Sequence, residues 1–294
     1  MSAAAVETSN LTKYFGKREV LHAITTRVQP GDVVGVIGKN GAGKTTLLET
    51  LLGFSPPTSG SARIFGEDSL KLSAAVKARI GFVPQQDELL PTLDGRRQLA
   101  LNGSFYPTWD KDLVERLARE WELPLDRRAS TMSGGERQKL STLMALGNNP
   151  DLLVLDEPVA SLDPLARRRF LQQLLDIAGD TSRAVIFSSH IVSDLERVAN
   201  RIWIMREGTL LWDGETEQLK QSVRRLHINA KRPLPDNLGI PNALGERRAA
   251  NGTSAIITLR DPAPDLADEL ASRLDAHVES EGLGLEDIFL EIHA

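Results

Sequence analysis

The chain has 294 residues, which at about 150 residues per domain corresponds to roughly two domains that can bury a core without disulfides or structural metals. Its composition, 41% hydrophobic and 26% charged with 23 glycines and 15 prolines, excludes collagen-like, coiled-coil and mostly disordered chains. The lack of cysteine excludes thiolate chemistry and fits a reducing compartment, and the net charge of -5 argues against nucleic acid as a partner.

The amino terminus and the hydropathy pattern bear on the location of the chain. Residues 1–10 contain neither the basic nor the apolar segment of a secretory signal. No apolar run approaches the ~18 residues that a membrane helix needs. We therefore expect a cytoplasmic chain that does not cross a bilayer by itself.

From about Val6 to Gln221, short β-branched segments alternate with helical patterns, which is typical of an α/β domain with a largely parallel sheet. The predicted strands are residues 32–37, 80–83, 152–156, 184–189 and 201–205. The predicted helices begin near Lys44, Gly134, Pro164 and Ser193. Asp163 and Ser193 are suitable N-caps, because Pro164 follows the first and Glu196 completes a capping box with the second.

The first motif lies between the strand 32–37 and the helix that begins at Lys44. Residues 38–45 read GKNGAGKT, which matches the pattern of a phosphate-binding loop in the strand–loop–helix context that it requires. The glycines let backbone N–H groups surround an anion, and the helix N-terminus adds a partial positive charge. We expect Lys44 to reach the β- and γ-phosphates, Thr45 to bind Mg²⁺ and Thr46 to contact another phosphate oxygen. The motif predicts a nucleoside triphosphate site.

A second segment suited to anions precedes the helix predicted from Gly134. Residues 132–136 read MSGGE, so the Ser133 side chain and the N–H groups of Gly134 and Gly135 form a pocket that can receive phosphate. One nucleotide in one chain does not need two such pockets. Either the second pocket binds a separate anion, or it completes the nucleotide site of another protomer.

Two acidic residues end the apolar strand in residues 152–158, which read LLVLDEP. Successive side chains of a strand point to opposite faces, so Asp156 and Glu157 cannot share one task. We assign Asp156 to Mg²⁺ and Glu157 to orienting or deprotonating the attacking water, because phosphoryl transfer needs a counter-charge and a placed nucleophile. His190 follows the next strand, at the edge where α/β proteins bind ligands, and can donate to the γ-phosphate there.

The pattern changes after Gln221. Prolines and glycines interrupt residues 231–245, and new elements follow near residues 254–260, 265–274 and 285–292. We expect one domain over residues 1–221 and a small α+β appendage over residues 222–294, whose residues point to no particular role.

Six motifs taken in order, GKNGAGKTT, VPQ, MSGGE, LLVLDEP, SLD and SSH, resemble those of the nucleotide-binding subunit of an ABC transporter over about residues 6–221. The resemblance implies a P-loop NTPase fold of ABC type, an α/β fold in which a mixed sheet core carries antiparallel β and helical subdomains. Within the family, the FYPTWD stretch at 105–110 and the LEDIFL stretch at 285–290 are similar to ATPases of ABC-2-type exporters.

The resemblance also implies a role for each motif. Residues 38–46 match the Walker A loop, Gln85 the Q-loop residue that touches Mg²⁺, and residues 133–136 the signature. Asp156 and Glu157 match the end of Walker B, and His190 matches the switch histidine. An aromatic residue would stack on adenine, with Phe15 the best match and Tyr14 the alternative.

The implied site residues fall into three groups. The expected ATP contacts are Phe15, Gly38, Asn40, Gly41, Ala42, Gly43, Lys44, Thr45, Thr46, Ser133, Gly134, Gly135, Glu136 and, in the D-loop, Asp163. The expected Mg²⁺ ligands are Thr45, Gln85 and Asp156. The expected catalytic residues are Lys44, Gln85, Glu157 and His190.

The family pattern also implies partners. Two subunits pack head to tail and each signature closes over the ATP of the other, so we expect a homodimer or a heterodimer with a paralogous ATPase. Hydrolysis would power an integral-membrane permease at the inner face of the cell membrane, met by a helical subdomain in residues 86–130. Two departures are mild, because Met132 replaces the usual leucine and Glu136 the commoner glutamine without removing a phosphate contact.

Other functions compete with export at this level. One is an ABC module that gates an envelope complex without transport, and another is a soluble ABC ATPase that acts on ribosomes or DNA. The chain has one Walker A loop, and the segment from Lys44 to Ser133 is too short for a long coiled coil, which disfavours the second. A GTPase is the weakest alternative, because no N/T-K-x-D segment follows the phosphate loop.

Overall fold

The computed structural model describes residues 4–178 and 182–293. Contacts between residues divide the chain into two units, Met1–Asp213 and Gly214–Ala294. The boundary predicted after Gln221 lies inside the second unit, within the helix Thr216–Ser222, and the assignment of domains to 1–221 and 222–294 stays a prediction.

The first unit contains ten strands and seven α-helices among the described residues. The strands are β1 Val6–Phe15, β2 Arg18–Val28, β3 Val33–Ile37, β4 Ser59–Ile64, β5 Glu67–Asp68, β6 Ile80–Val83, β7 Leu152–Leu155, β8 Ala184–Ser188, β9 Arg201–Arg206 and β10 Thr209–Glu215, whose last residues enter the second unit. The helices are α1 Lys44–Leu51, α2 Ala74–Lys77, α3 Gly95–Gly103, α4 Lys111–Glu120, α5 Gly134–Leu146, α6 Pro164–Ala178 and α7 Val192–Val198. Two 3₁₀ turns occupy Ser69–Lys71 and Ala129–Thr131.

Two sheets organise this unit. The larger sheet has the order β10-β9-β3-β8-β7-β6, and its pairs from β9 to β6 are parallel. The smaller sheet has the order β2-β1-β4-β5 and is antiparallel. Strands β7 and β8 are buried along their whole length, as expected for parallel strands covered on both faces. This mixed sheet core confirms the predicted fold class.

The topology brings the motifs to one edge of the larger sheet. The carboxyl ends of parallel neighbours lie side by side, and the segments that follow β3, β6, β7 and β8 carry Gly38, Gln85, Asp156 and His190. Helix α1 packs its leucines, including Leu47 and Leu48, into the core below this edge. Burial of each such side chain contributes about 1.5–3 kcal/mol, so the core fixes the edge that holds the site.

Three of the four predicted helix starts are confirmed, at Lys44, Gly134 and Pro164. The Asp163 side chain accepts the N–H of Ala166, as predicted for an N-cap. The prediction of Ser193 as an N-cap with Glu196 was wrong. Helix α7 already begins at Val192 after Ile191, whose N–H is taken by the hydroxyl of Ser189 at 3.0 Å, so Ser193 lies inside the first turn.

The segment between β6 and β7 is helical. Asp94 and Asp110 are the N-caps of helices α3 and α4, and their side chains each accept a backbone N–H of the first turn. The indole of Trp109 lies against Gly147, where an added Cβ would sit 2.3 Å from the ring. Trp109 is therefore explained by packing between α3 and the end of α5, whereas Phe105 of the same stretch is 75% exposed.

The second unit is an antiparallel sheet with three helices. Its elements are α8 Thr216–Ser222, β11 Val223–Ala230, β12 Ala243–Arg248, β13 Ser254–Arg260, α9 Leu266–Leu274, β14 Ala276–Gly282 and α10 Leu285–Ile292. The sheet order is β12-β13-β11-β14, and Leu226, Ile257 and Leu270 are part of a separate core. The unit is α+β, and the elements expected near 254–260, 265–274 and 285–292 are present.

Among the residues that the structure describes, no helix combines the length and the apolar character that crossing a membrane requires.

Candidate functional site

The loop between β3 and α1 needs glycine at several positions. Gly41 and Gly43 have φ angles of 81° and 101°, in the left-handed region that side chains disfavour. An added Cβ at Gly38 would lie 2.7 Å from the carbonyl oxygen of Met205. The backbone therefore closes tightly, and Gly43 caps helix α1 without a side chain.

Lys44 is held inside this loop. Its side chain is 8% exposed, its ammonium donates to the carbonyl oxygen of Gly38 at 2.8 Å, and Oε1 of Glu157 lies 3.9 Å away. Burial lowers the pKa of Lys44, while the carboxylates of Glu157 and Asp156 act in the opposite direction. A buried cation whose partners are a carbonyl and a distant carboxylate is well suited to a phosphate oxygen.

A cavity of about 440 Å³ opens above the loop. It is lined by Phe15, Asn40, Gly41, Ala42, Gly43, Lys44, Thr45 and Thr46, which were predicted to bind ATP, and by Gln85 and Glu157, which were predicted to be catalytic. The predicted ATP contact Gly38 does not line it. Phe15 is 53% exposed at the end of β1, whereas Tyr14 does not line the cavity, so the geometry favours Phe15 as the aromatic platform. The volume is within the range of cavities that hold small ligands and cofactors.

Arg18 and Val20 also line the cavity, and the sequence did not reveal them. Arg18 pairs directly with Phe15 across the turn between β1 and β2, so the hairpin brings a cation to the mouth of the cavity. Recognition of that hairpin is the signal that could have found Arg18.

Asp156 and Glu157 are joined through a buried serine. The hydroxyl of Ser188 donates to Oδ1 of Asp156 at 2.5 Å and accepts the N–H of Glu157 at 2.9 Å. Asp156 is 1% exposed and Ser188 is fully buried. Glu157 has a φ of 51°, a conformation that costs of the order of 1 kcal/mol or more and is common at functional sites. Ser188, quoted only as part of the SSH motif, thus fixes both acids.

His190 contacts the second acid. Its Nδ1 lies 2.7 Å from Oε2 of Glu157, although half of the imidazole is exposed. A carboxylate can only accept, so Nδ1 carries the hydrogen and Nε2 stays available to a ligand. Glu157 therefore stands between Lys44 and His190, and the structure brings these three predicted catalytic residues together.

The predicted metal ligands are oxygen donors. Thr45 and Gln85 line the cavity. Asp156 is buried and precedes the lining residue Glu157 in sequence, but it does not line the cavity itself. A hydroxyl, an amide oxygen and a carboxylate are donors that Mg²⁺ accepts, commonly with waters between. Because Ser188 contacts Oδ1 of Asp156, Oδ2 is the oxygen left for such a role.

The signature residues lie outside this cavity. Ser133 is the exposed N-cap of α5 and forms a capping box, in which its hydroxyl accepts the N–H of Glu136 and its own N–H donates to Oε2 of Glu136 at 2.6 Å. Gly134 and Gly135 pack against the D-loop residues Ser161 and Leu162, next to the exposed Asp163. The cavity of this chain thus contains none of the residues Ser133, Gly134, Gly135, Glu136 or Asp163.

Comparison with known proteins agrees with this arrangement. The family model described as ABC transporter matches residues 21–160. The Nod factor export ATP-binding protein I of Cupriavidus metallidurans is 31% identical, over 98% of this chain and 97% of the relative. The chain belongs to the ABC transporter family.

Solved structures of ABC proteins share the fold. An ATP-binding subunit of an ABC transporter superposes with a TM-score of 0.67 at 26% identity, over 74% of this chain and 92% of that chain. A bacterial Atm1-family ABC exporter with ATP bound gives a TM-score of 0.65 at 25% identity, over 75% of this chain and 41% of that chain. The ABC resemblance stated from the motifs is therefore confirmed, whereas the individual roles of its site residues stay predictions.

Proposed function

We propose that this ABC protein is the ATP-binding and ATP-hydrolysing subunit of a membrane exporter. The observation that carries the proposal is the division of the site. One chain holds a cavity with a phosphate loop, a lysine and a glutamate. Elsewhere on its surface it presents a second set of donors suited to an anion, the corner formed by Ser133, Gly134 and Gly135 at the start of α5. The export function of the relative named above and the ATP bound in the Atm1-family neighbour support the choice of nucleotide and task.

ATP binding follows from the cavity. Phe15 stacks on the base, the N–H groups of the loop surround the phosphates, and Lys44 exchanges its bond to the Gly38 carbonyl for phosphate oxygens. Thr45, Gln85 and Asp156 would hold Mg²⁺, whose charge offsets that of the phosphates when it is bound.

Hydrolysis uses the buried acid. Glu157 orients the attacking water and accepts its proton, because it lines the cavity, its carboxylate contacts His190 and its backbone N–H is held by Ser188. His190 acts in its doubly protonated form, in which Nε2–H donates to a γ-phosphate oxygen while Nδ1–H donates to Glu157. Catalysis in this scheme rests on positioning and charge, as phosphoryl transfer generally does.

The second corner implies a dimer. Ser133 and the N–H groups at the start of α5 form an exposed anion site that does not line the cavity of their own chain. A second copy, or a paralogous ATPase, would place this corner over the ATP held by its partner. Each ATP is then enclosed between two chains, and hydrolysis releases them.

A separate groove suits the permease. It has a volume of about 430 Å³ and includes Phe54 and Phe82, whose rings lie 5.2 Å apart, together with Met144 of α5 and Pro84, the residue before Gln85. Phe54 is 64% exposed, which is unusual for a large apolar side chain. An occupant of this groove would contact both the segment that leads to Gln85 and the signature helix. We place the chain at the inner face of the cell membrane on this basis.

The variant Glu157→Gln tests the proposal. It keeps the size of the side chain but removes the base, so ATP stays bound and a dimer accumulates in size-exclusion chromatography with ATP and Mg²⁺. The double variant Lys44→Ala, Glu157→Gln is the control and is expected to remain monomeric. A Glu157→Gln protein that stays monomeric at saturating ATP and Mg²⁺ contradicts the proposal.

A further inference from the structure

The anion-binding corner of α5 contains a negative charge. Glu136 lies three residues after Ser133, and its Oε2 accepts the N–H of Ser133 at 2.6 Å. The carboxylate thereby completes the capping box and holds Ser133 in place. A fixed carboxylate also repels the phosphates that the corner is proposed to receive, because like charges at short range raise the energy of the complex.

Arg127 pairs directly with this carboxylate, and Lys139 adds a smaller favourable charge interaction. Nη1 of Arg127 lies 3.0 Å from Oε1 and 3.4 Å from Oε2 of Glu136, so it contacts both oxygens of the carboxylate. Nη2 of the same guanidinium donates to the carbonyl oxygen of Thr131, which fixes the arginine over the start of α5. Arg127 is thus anchored by backbone as well as by charge.

We propose that Arg127 is a positioning residue that neutralises Glu136 so that Ser133 can receive the γ-phosphate of ATP bound by a second chain. The inference rests on the proposed function, since it assigns a device to the proposed dimer site. Arg127 does not contact the nucleotide in this scheme. It acts through Glu136, whose carboxylate keeps Ser133 oriented while the guanidinium cancels its field.

The electrostatic surroundings of Glu136 support these roles, in which Glu136 orients Ser133 and Arg127 compensates its charge. The N–H of Ser133 is the main reason that the pKa of Glu136 is lowered, and Arg127 contributes in the same direction, so the carboxylate stays ionised. Glu136 is 25% exposed and Arg127 is 47% exposed in the single chain. Covering by a second chain would remove water from the pair and strengthen the effect of an uncompensated charge.

The test measures the ATP concentration that gives half-maximal dimer, in a Glu157→Gln background with Mg²⁺. Arg127→Ala is expected to raise this concentration by about three- to tenfold, which is the range of a charge-assisted pair. The further change Glu136→Gln, which keeps the capping geometry and removes the charge, is expected to return it to within about twofold of the background value. ADP affinity of the single chain is expected to stay unchanged in Arg127→Ala, because Arg127 does not line the cavity.

Arg96→Ala is the matched control. Arg96 is an exposed arginine paired with Asp126 at 2.7 Å, and neither residue contacts Glu136 in the interactions described. If Arg127→Ala leaves the ATP concentration for half-maximal dimer unchanged, the inference is overturned. The proposed function is still upheld in that case, because the background protein forms the dimer. If Arg127→Ala weakens dimer formation and Glu136→Gln does not reverse the effect, Arg127 only supports the structure of the loop, and the inference is likewise overturned. A background protein that never dimerises removes the proposed function and the inference together.

Discussion

The nucleotide cavity and the Ser133 corner are built in opposite ways. At the nucleotide site, the cavity residue Lys44 and the neighbouring Asp156 and Ser188 are buried, and their polar atoms contact one another or the backbone. At the corner, Ser133 is exposed and is held by Glu136, which in turn pairs with an exposed Arg127. One region is assembled by a single chain, whereas the other presents its donors outward.

This difference indicates where the working site is completed. A buried network is fixed by the fold and loses stability when one partner is removed. An exposed helix N-terminus is worth little until a ligand or a partner covers it. The two regions should therefore respond differently to substitution, one through the single chain and the other through the assembly.

The largest expected contrast is between Lys44→Ala and Ser133→Ala. Lys44→Ala is expected to lower ATP hydrolysis by on the order of a thousandfold and also to weaken ADP binding by the single chain. Ser133→Ala is expected to lower hydrolysis by on the order of a hundredfold and to leave ADP binding unchanged. Steady-state hydrolysis and calorimetric titration with ADP measure both effects.

Loss of an N-cap alone could lower stability by about 1 kcal/mol, so Ser133→Ala needs a control. The hydroxyl of Ser73 accepts the N–H of Val76 and caps the short helix α2. The variant Ser73→Ala loses this cap and should hydrolyse ATP normally. If Ser133→Ala weakened ADP binding as Lys44→Ala does, the corner would belong to the cavity of its own chain.

A smaller effect is expected from Ser188→Ala. The change leaves Oδ1 of Asp156 and the N–H of Glu157 without their buried partner, at about 1–3 kcal/mol for each group. Thermal unfolding should therefore occur at a lower temperature, and hydrolysis should fall more than ADP affinity does.

Ser189→Ala is the control for Ser188→Ala. Ser189 is equally buried, but its hydroxyl accepts the N–H of Ile191 rather than contacting either acid. Equal losses of hydrolysis in the two variants would mean that the hydrogen bonds of Ser188 to Asp156 and Glu157 do not contribute specifically to hydrolysis.

The smallest expected effect distinguishes two neighbouring aromatics. Phe15→Ala should weaken ATP binding by about 1–3 kcal/mol through loss of base stacking. Tyr14→Ala removes an aromatic ring of similar size that does not line the cavity, and should leave the affinity unchanged. Fluorescence titration with a labelled ATP analogue measures both. A larger loss of ATP affinity in Tyr14→Ala than in Phe15→Ala would mean that the base stacks on Tyr14.

Much of the cavity could be predicted because its chemistry is local in sequence. The residues 38–46 and the pair Asp156 and Glu157 follow apolar strands whose carboxyl ends must meet in a parallel sheet. Strand β6 and the elements at 254–260 and 285–292 were also apparent from their periodicity.

Other features depend on long-range contacts that no local pattern carries. Strands β1 and β2 were not singled out, because register shifts near Leu11 and Lys13 and the positive φ of Asn10 and Ala23 interrupt their alternation. Arg127 belongs to none of the motifs, since only its distance to Glu136 gives it a role. The start of α7 was misplaced because the preceding turn is closed by a serine that the capping pattern does not include.

The central claim, that each working site is shared by two chains, is tested most directly by mixing two inactive variants. In a mixed dimer of Lys44→Ala and Ser133→Ala, one site combines an intact Lys44 from one chain with an intact Ser133 from the other. Hydrolysis of the mixture should then rise well above that of either variant alone, and mixing either variant with the double variant Lys44→Ala, Ser133→Ala should give no such rise. Hydrolysis that stays at the average of the two separate variants, in a mixture that size-exclusion chromatography with ATP and Mg²⁺ shows to contain the mixed dimer, would contradict the account.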